Sequence, residues 1–237
     1  MAYEISTIAS AMDHKIMQLD QISNNLANSV TPGFKAQHLY FLNTIEEDNI
    51  ATESGNSTNS LIVDFSSGLS QKTDNPLDLQ LQGDGFFVIQ TEKGQAFTKK
   101  GDFTINKLKQ LATQGGEPVV GEGGPIILQN GKIRVSDEGA VYVDESQVGK
   151  LLVVDFANRQ NLSKEGNGLY RDDGTAGKKT VAKPSIAPGY IELSNVNVVK
   201  EMTEIIAINR CFETYQKIIQ TMSEEDKLST GRVGKIT

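Results

Sequence analysis

The side chains that could do chemistry in this chain form no recognised catalytic or metal-binding pattern. Its two histidines, His14 and His38, lie in no triad, and a single cysteine, Cys211, excludes an intrachain disulfide. The acidic run Glu46-Glu47-Asp48 could attract a cation but is typical of a solvated loop. The run Asp172-Asp173-Gly174 lacks the spacing and the closing glutamate of a calcium loop. We therefore expect a protein that is not an enzyme and that holds no metal and no cofactor.

Amide side chains are the other polar feature, and they gather where a helical pattern stops. Asn24, Asn25 and Asn28 precede Pro32, which cannot continue a helix, and Gly33, which frees the backbone to turn. Asn28 is interpreted as a capping residue. Asn24 and Asn25 fall inside the last turns, where asparagine has poor helix propensity. Two explanations stay open for this pair: solvation at the helix end, or hydrogen bonds to a neighbouring molecule.

Two amphipathic helices must position these residues, one near each end of the chain. Apolar residues recur every three or four positions in both segments, which predicts one apolar stripe along each helix. The stripes are Ile5, Ile8, Met12, Ile16, Leu19, Ile22 and Leu26, and then Val198, Met202, Ile205, Ile206, Phe212, Tyr215, Ile219 and Met222. Each stripe must be buried, either on the other helix in an antiparallel pair or on a partner chain.

The residues between the helices predict an antiparallel β domain. From Phe86 to Phe156, short apolar runs alternate with turn signals about every eight to twelve residues, which is typical of a sandwich or barrel. Asn130-Gly131 predicts a hairpin between the apolar run 126–128 and Ile133. The apolar run that opens at Phe86 follows a tight turn at Gly83-Asp84-Gly85.

The predicted domain boundaries follow these changes of pattern. Residues 43–60 are almost all polar and predict a loop, followed by a short strand from Leu61 to Phe65. The predicted fold class is α+β, with a discontinuous terminal α-helical, coiled-coil-like domain and a central antiparallel β domain of sandwich or barrel type. The three parts are a helical assembly domain (1–30 with 195–237), an extended connector and polar loop (31–75), and the β domain (76–194).

Charge and hydropathy narrow the class of partner. The 237 residues carry a formal net charge of −7, which argues against nucleic acid or an anionic membrane as partner. No segment has the run of about 18 apolar residues that crosses a bilayer. The N-terminus lacks the pattern of a secretory signal peptide. We expect no membrane insertion, and either a cytoplasmic location or export by a dedicated machine.

Several ordered blocks of residues match one known signature. They are Asn24–Asn28 with Thr31–Lys35, Asp64–Leu69 with Thr73–Leu79 and Gly83–Ile89, Phe97–Phe103, Thr113–Gly121, Val141–Asp144, Gly166–Tyr170 and Leu193–Met202. In this order and over nearly the whole chain, they resemble the bacterial flagellar rod and hook proteins, the axial proteins of the basal body. Asp74 and the segment 107–110 depart from the family, which usually carries glycine there. We expect the turn at Asp74 to survive and the hairpin at 107–110 to differ in shape.

The resemblance implies a structural subunit of the flagellar basal-body rod, which self-assembles with other axial proteins into a hollow helical drive shaft. It implies a location in the rod, in the periplasmic space, reached through the flagellar type III export apparatus without a cleaved signal peptide. Other rod subunits and that apparatus are the expected partners. The short chain and its polar, glycine-containing end favour the proximal rod protein.

The resemblance also assigns the terminal helices to contacts between subunits. The amides of Asn24 and Asn25 are then expected to bind neighbouring subunits, and Phe34 is expected to pack on its own helices or in a neighbour's groove. The expected interface residues are Ile5, Ile8, Met12, Leu19, Ile22, Asn24, Asn25, Leu26, Phe34, Val198, Met202, Ile205, Phe212, Tyr215 and Ile219.

Two alternatives stay open. The first is a distal rod or hook-type axial protein. The second is a secreted β-domain binding module that is dimerised by its terminal helices. The second alternative predicts an oligomer of fixed size, whereas a rod subunit predicts open-ended growth.

Overall fold

The computed structural model describes residues 2–43 and 57–233, with side chains for 6–40, 60–225 and 227. The described chain forms two compact units. The first comprises residues 2–27, 38–43, 57–61 and 197–233, and the second comprises 28–37 and 62–196. Most of the predicted polar loop, residues 44–56, lies outside the described residues.

The first unit contains two long helices, α1 (Ala2–Ala27) and α2 (Val198–Val233), which pack against each other. Asn197 caps the start of the second helix. Its Oδ1 accepts a hydrogen bond from the backbone N of Lys200 at 3.1 Å, and its carbonyl accepts one from the N of Glu201 at 3.0 Å. These bonds satisfy backbone donors that a helix start leaves without intrahelical partners.

Two paired strands accompany the helices, β1 (Gln37–Asn43) and β2 (Ser57–Val63). The predicted loop is therefore wrong at residues 43 and 57–60, and the strand expected at 61–65 begins and ends earlier. Backbone pairing with β1 supplies the hydrogen bonds of β2 whatever the polarity of its side chains, so a polar run can still form a strand.

The second unit is built from short strands and one 3-10 turn, Arg159–Asn161. Its strands are β3 (Ser70–Lys72), β4 (Leu79–Leu81), β5 (Phe86–Thr91), β6 (Gly94–Thr98), β7 (Thr104–Ile105), β8 (Leu111–Ala112), β9 (Val120–Gly121), β10 (Gly124–Pro125), β11 (Ile133–Val135), β12 (Ala140–Val143), β13 (Ser146–Lys150), β14 (Val153–Phe156), β15 (Leu162–Gly166), β16 (Leu169–Asp172), β17 (Lys178–Thr180), β18 (Ile186–Pro188) and β19 (Tyr190–Glu192).

The central sheet of this unit has six strands in the order β15-β16-β6-β5-β14-β17. The unit also contains smaller sheets: β11-β12-β13, and the pairs β7-β8, β9-β10, β4-β18 and β3-β19. Every strand pairing described in this unit is antiparallel. The predicted α+β class with an antiparallel β body is confirmed.

Strand β5 is buried on both faces because a packed layer lies on each side of it. Phe87 and Ile89 belong to the larger apolar cluster, whereas Phe86 and Val88 belong to an aromatic cluster on the opposite face. Phe86 and Phe156 meet edge to face, with ring centroids 5.6 Å apart. The alternation follows from the period of two along a strand.

The hairpin predicted at Asn130-Gly131 is wrong. The apolar run 126–128, which precedes this pair, bonds to the segment 109–110 and not to β11. Ile127 forms a bridge to Gln110, and the backbone N of Leu128 donates to the carbonyl of Lys109 at 2.7 Å. Ile133 instead pairs with β12. This arrangement buries Ile126 and Leu128 in the larger cluster, and that burial outweighs the local turn preference.

Both departures from the family's glycine positions adopt a left-handed backbone. Asp74 has φ 60° and Lys109 has φ 57°. The turn at Asp74 survives, as expected, with its backbone N donating to the carbonyl of Gly189 at 3.2 Å. Aspartate tolerates this conformation better than lysine, so more strain is expected at Lys109.

Replacing Lys109 with glycine should therefore stabilise the protein. We expect the free energy of unfolding in urea to rise by about 0.5–1 kcal/mol, because relief of the left-handed strain exceeds the extra chain entropy of glycine. Lys107→Gly in the same turn, where φ is not positive, should lower stability instead. A loss of stability in Lys109→Gly would contradict the assignment of strain.

Candidate subunit interface

The helix pair buries few apolar side chains. Among the described residues of this unit, only Ile22 and Ile208 are buried apolar side chains. The other predicted stripe residues are partly buried or exposed, and the side chain of Ile5 lies outside the described set. The half-buried ones are Ile8, Met12, Leu19, Leu26, Ile205, Phe212, Tyr215 and Met222. The stripes are thus only partly covered by one another.

Eight large apolar side chains in the described parts of the helices are exposed, some of them members of the predicted stripes. They are between 37% and 72% exposed and comprise Ile16, Met17, Val198, Val199, Met202, Ile206, Ile218 and Ile219. We name this set the exposed helical face. Sequence reasoning missed Met17, Val199 and Ile218. The sequence does contain a sign of these three residues. Each one follows or precedes an apolar residue of the stripe, so the apolar surface of the helix is wider than a single line of residues.

The structure uses the side chain of Asn25 inside the helix pair. Asn25 is 1% exposed, and its Nδ2 donates to Oε2 of Glu201 at 3.4 Å, while its Oδ1 accepts from Gln21 at 3.3 Å. It joins the end of α1 to the start of α2 inside the pair. Ile22 is buried in the same helix pair. Asn24 is exposed.

In the β unit, the segment that follows α1 and the segment that precedes α2 are cross-linked by polar contacts. Three segments, 33–36, 64–68 and 192–195, meet at one place, and we name them the connector clamp. Its centre is a buried ion pair: Lys35 Nζ lies 2.6 Å from Glu192 Oε1, with side chains 0% and 3% exposed. Lys35 also donates to the carbonyl of Ser66 at 2.6 Å, and the backbone N of Gly68 donates to the same Glu192 oxygen at 2.8 Å.

Asn195 links the same three segments through its side-chain amide. Its Oδ1 accepts from the backbone N of Ala36 at 2.8 Å, and its Nδ2 donates to the carbonyls of Asp64 at 2.8 Å and Ser66 at 3.2 Å. The clamp thus satisfies irregular backbone that no sheet pairs. A Cβ at Gly33 would lie 2.6 Å from the backbone N of Lys100, so only glycine fits at position 33.

Phe34 belongs to the β unit, and its ring is covered there by a lysine. Its ring is 3% exposed. Lys164 Nζ sits 4.2 Å from the ring centroid and donates to Gln37 Oε1 at 3.0 Å. The cation covers the ring face through a cation–π contact. Lys164 is 130 positions away along the chain, so the local stretch around Phe34 could not reveal this contact.

A second buried lysine lies in the same unit. Lys99 is 4% exposed, and its Nζ donates to the carbonyl of Gly83 at 2.9 Å. Burial lowers the pKa of Lys99 to about 8, with the positive charges of Lys35 and Arg159 acting in the same direction and Glu192 opposing it. The charged form is therefore disfavoured in the folded state.

The depressed pKa of Lys99 predicts a stability gain at alkaline pH. Between the folded pKa of about 8 and the unfolded value near 10.4, the unfolded chain binds more protons, so stability rises with pH. We expect the free energy of unfolding to increase by about 2 kcal/mol from about pH 8 to about pH 10. Denaturant titrations should show this rise in the wild type and not in Lys99→Met. Equal pH profiles in the two proteins would contradict the prediction.

The described residues show no group that could hold a metal ion and no helix long and apolar enough to cross a membrane. What the described residues present instead is the set of exposed apolar side chains on the two helices, the exposed helical face.

Comparison with known proteins agrees with this picture. Residues 187–228 match the family model "Flagellar basal body rod FlgEFG protein C-terminal", and residues 80–143 match "Flagellar hook protein FlgE/F/G D1 domain". The chain is 32% identical to the flagellar basal-body rod protein FlgF of Caulobacter vibrioides, over 92% of this chain and 93% of the relative.

Two further relatives show the same extent of similarity. FlgF of Salmonella typhimurium is 33% identical, over 95% of this chain and 96% of the relative. FlgG of Bacillus subtilis is 32% identical, over 91% of this chain and 93% of the relative. The match spans both helices and the β unit, and the chain therefore belongs to the family of structural flagellar basal-body rod proteins.

Proposed function

We propose that this rod subunit assembles with copies of itself and with other axial proteins into a hollow helical shaft, and that the exposed helical face forms the contacts. The observation that carries the proposal is that eight large apolar side chains of the helices remain partly exposed. Patches of this kind mark association surfaces. Identical subunits that join by different surfaces and a rotation that does not close produce an open helical polymer.

The energy of assembly would come from covering this face. Full burial of one apolar side chain contributes roughly 1.5–3 kcal/mol. Each of these residues is only partly buried, so association can still remove the rest of its surface from water. In the assembled state we propose coiled-coil-like packing of the helices, because their apolar residues repeat at threes and fours. Val198, Met202 and Ile219 of the expected interface belong to the exposed helical face. The half-buried members of the stripes would complete it.

We further propose the division into a helical assembly domain of residues 1–30 with 195–237, a connector over 31–75 and a β domain of sandwich type over 76–194. The two-sided core of β5 supports the sandwich description. The cross-linked connector clamp suits a subunit that must transmit force, since it ties both connecting segments to the β unit.

The location and the route to it are also part of the proposal. The subunit would reside in the basal body, in the rod where it crosses the periplasmic space, after export by the flagellar type III apparatus without a cleaved signal peptide. A position in the proximal rod stays a prediction, because the identities to FlgF and to FlgG are nearly equal. A structural role fits a family of rod proteins better than a catalytic one.

Deletion of the gene tests the proposed function. Basal bodies purified from the deletion strain should lack a complete rod in electron micrographs, and cells should not swim. The wild-type gene supplied in trans should restore both. Intact rods in the deletion strain would refute the proposal. Sedimentation of the purified protein at rising concentration should show open-ended growth, whereas a dimer of fixed size would favour the binding-module alternative.

A further inference from the structure

The chain holds two Asn-Gly pairs, Asn130-Gly131 and Asn167-Gly168, and the structure places them in different surroundings. Asn130 and Gly131 are both exposed and lie outside any strand. Asn167 and Gly168 lie in the turn that joins β15 to β16, and Gly168 is buried. In an Asn-Gly pair the backbone nitrogen of glycine can attack the side-chain amide, since no Cβ hinders the approach.

A cation contacts the amide of Asn130. Lys109 Nζ donates a hydrogen bond to Asn130 Oδ1 at 3.3 Å. That oxygen carries negative charge in the tetrahedral intermediate formed when the backbone nitrogen of Gly131 adds to the amide carbon. A positive donor at the oxygen lowers the energy of this intermediate. The site thus combines an accessible amide, an unhindered nucleophile and a cation where charge develops.

The other pair is held in place. Asn167 and Gly168 have φ 50° and 75°, and the flanking strands pair through Gly166 and Leu169. The buried hydroxyl of Thr98 donates to the carbonyl of Gly168 at 2.8 Å. Attack at Asn167 therefore requires the turn to open first, and such opening reduces the rate.

We propose that Asn130 is a site of spontaneous deamidation in the folded protein, assisted by Lys109. The backbone nitrogen of Gly131 bonds to the side-chain carbon of Asn130, the carbon–nitrogen bond of the amide breaks, and ammonia leaves with the proton of the Gly131 amide. One water molecule then opens the resulting succinimide at either carbonyl, which yields aspartate or isoaspartate. No oxidant or cofactor takes part.

The product changes the surface beside Lys109. A carboxylate replaces the amide within reach of the ammonium and makes an exposed ion pair with it. In the isoaspartate form the backbone also gains one methylene between Leu128 and β11. The modification therefore alters charge and chain path at a place where the strand pairing with Gln110 has just ended.

Mass spectrometry of aged protein tests the proposal. Full-length protein is incubated at neutral pH and physiological temperature, both folded and unfolded in guanidinium chloride, and the two Asn-Gly peptides are followed. In the folded protein we expect Asn130 to convert faster than Asn167 by about tenfold or more. In the unfolded protein the two rates should be similar. Equal rates in the folded protein, or faster loss of Asn167, would overturn the proposal.

A variant separates the role of Lys109 from that of exposure. Lys109→Met keeps the left-handed position strained and removes the cationic donor. Conversion at Asn130 in the folded variant should slow by roughly fivefold, the effect of one charge at close range in a solvated site, with Asn167 unaffected. An unchanged rate at Asn130 would show that Lys109 does not assist the reaction.

Discussion

Swimming is expected to be lost when Met202 or Ile206 is replaced with aspartate, while the isolated subunit stays folded. Both side chains are about half exposed, at 50% and 53%, so the isolated subunit loses little packing. At an apolar interface, however, each carboxylate would have to lose its water without gaining a partner. That cost is of the order of several kcal/mol per site, and it would recur in every subunit of the rod.

The same positions supply matched controls for these variants. Met202→Leu and Ile206→Leu keep an apolar side chain of similar volume in the exposed helical face. Both controls should leave swimming largely intact, because neither adds a charge. Circular dichroism of all four purified variants should match the wild type. Normal swimming of both Met202→Asp and Ile206→Asp cells would show that this face makes no contact in the rod.

A loss of about 3–5 kcal/mol in the free energy of unfolding is expected for Lys35→Met. The substitution leaves Glu192 buried without its cation, and the carbonyl of Ser66 loses a donor. Breaking one partner of a buried pair costs far more than the pair itself contributes, because the remaining charge must stay out of water. Urea denaturation of the full-length protein measures the effect.

A double-mutant cycle distinguishes the pair from simple loss of packing. Lys35→Met combined with Glu192→Leu should be less destabilising than the sum of the two single changes, because no unpaired charge remains. Some cost persists, since the backbone N of Gly68 loses its acceptor. The exposed pair of Lys72 and Asp74, with side chains 61% and 76% exposed, provides the control: Lys72→Met should cost less than about 1 kcal/mol. Additive effects in the cycle would contradict the clamp as described.

Local patterns predicted the elements well where one physical rule acted alone. The apolar period placed both helices, and the short apolar runs separated by turn signals indicated the antiparallel β unit. The prediction failed at Asn130-Gly131, where a turn-forming pair lies beside Ile126 and Leu128, whose burial decided the pairing. The preference of two residues for a turn is worth less than the burial of two apolar side chains.

By itself, the sequence determined the α+β class, the antiparallel character of the β unit and membership of the rod family. These follow from the nature of each residue and its near neighbours, or from ordered blocks along the chain. Only the tertiary structure decided which polar groups are used internally. Lys35 and Glu192 are separated by 157 positions, and Asn25 and Glu201 by 176. Periodicity carries no information over such separations, because the partner of a buried charge depends on the path of the whole chain. For that reason Asn25 and Phe34, expected at the subunit interface, lie inside the subunit, whereas Met202 and Ile206 remain exposed on its surface.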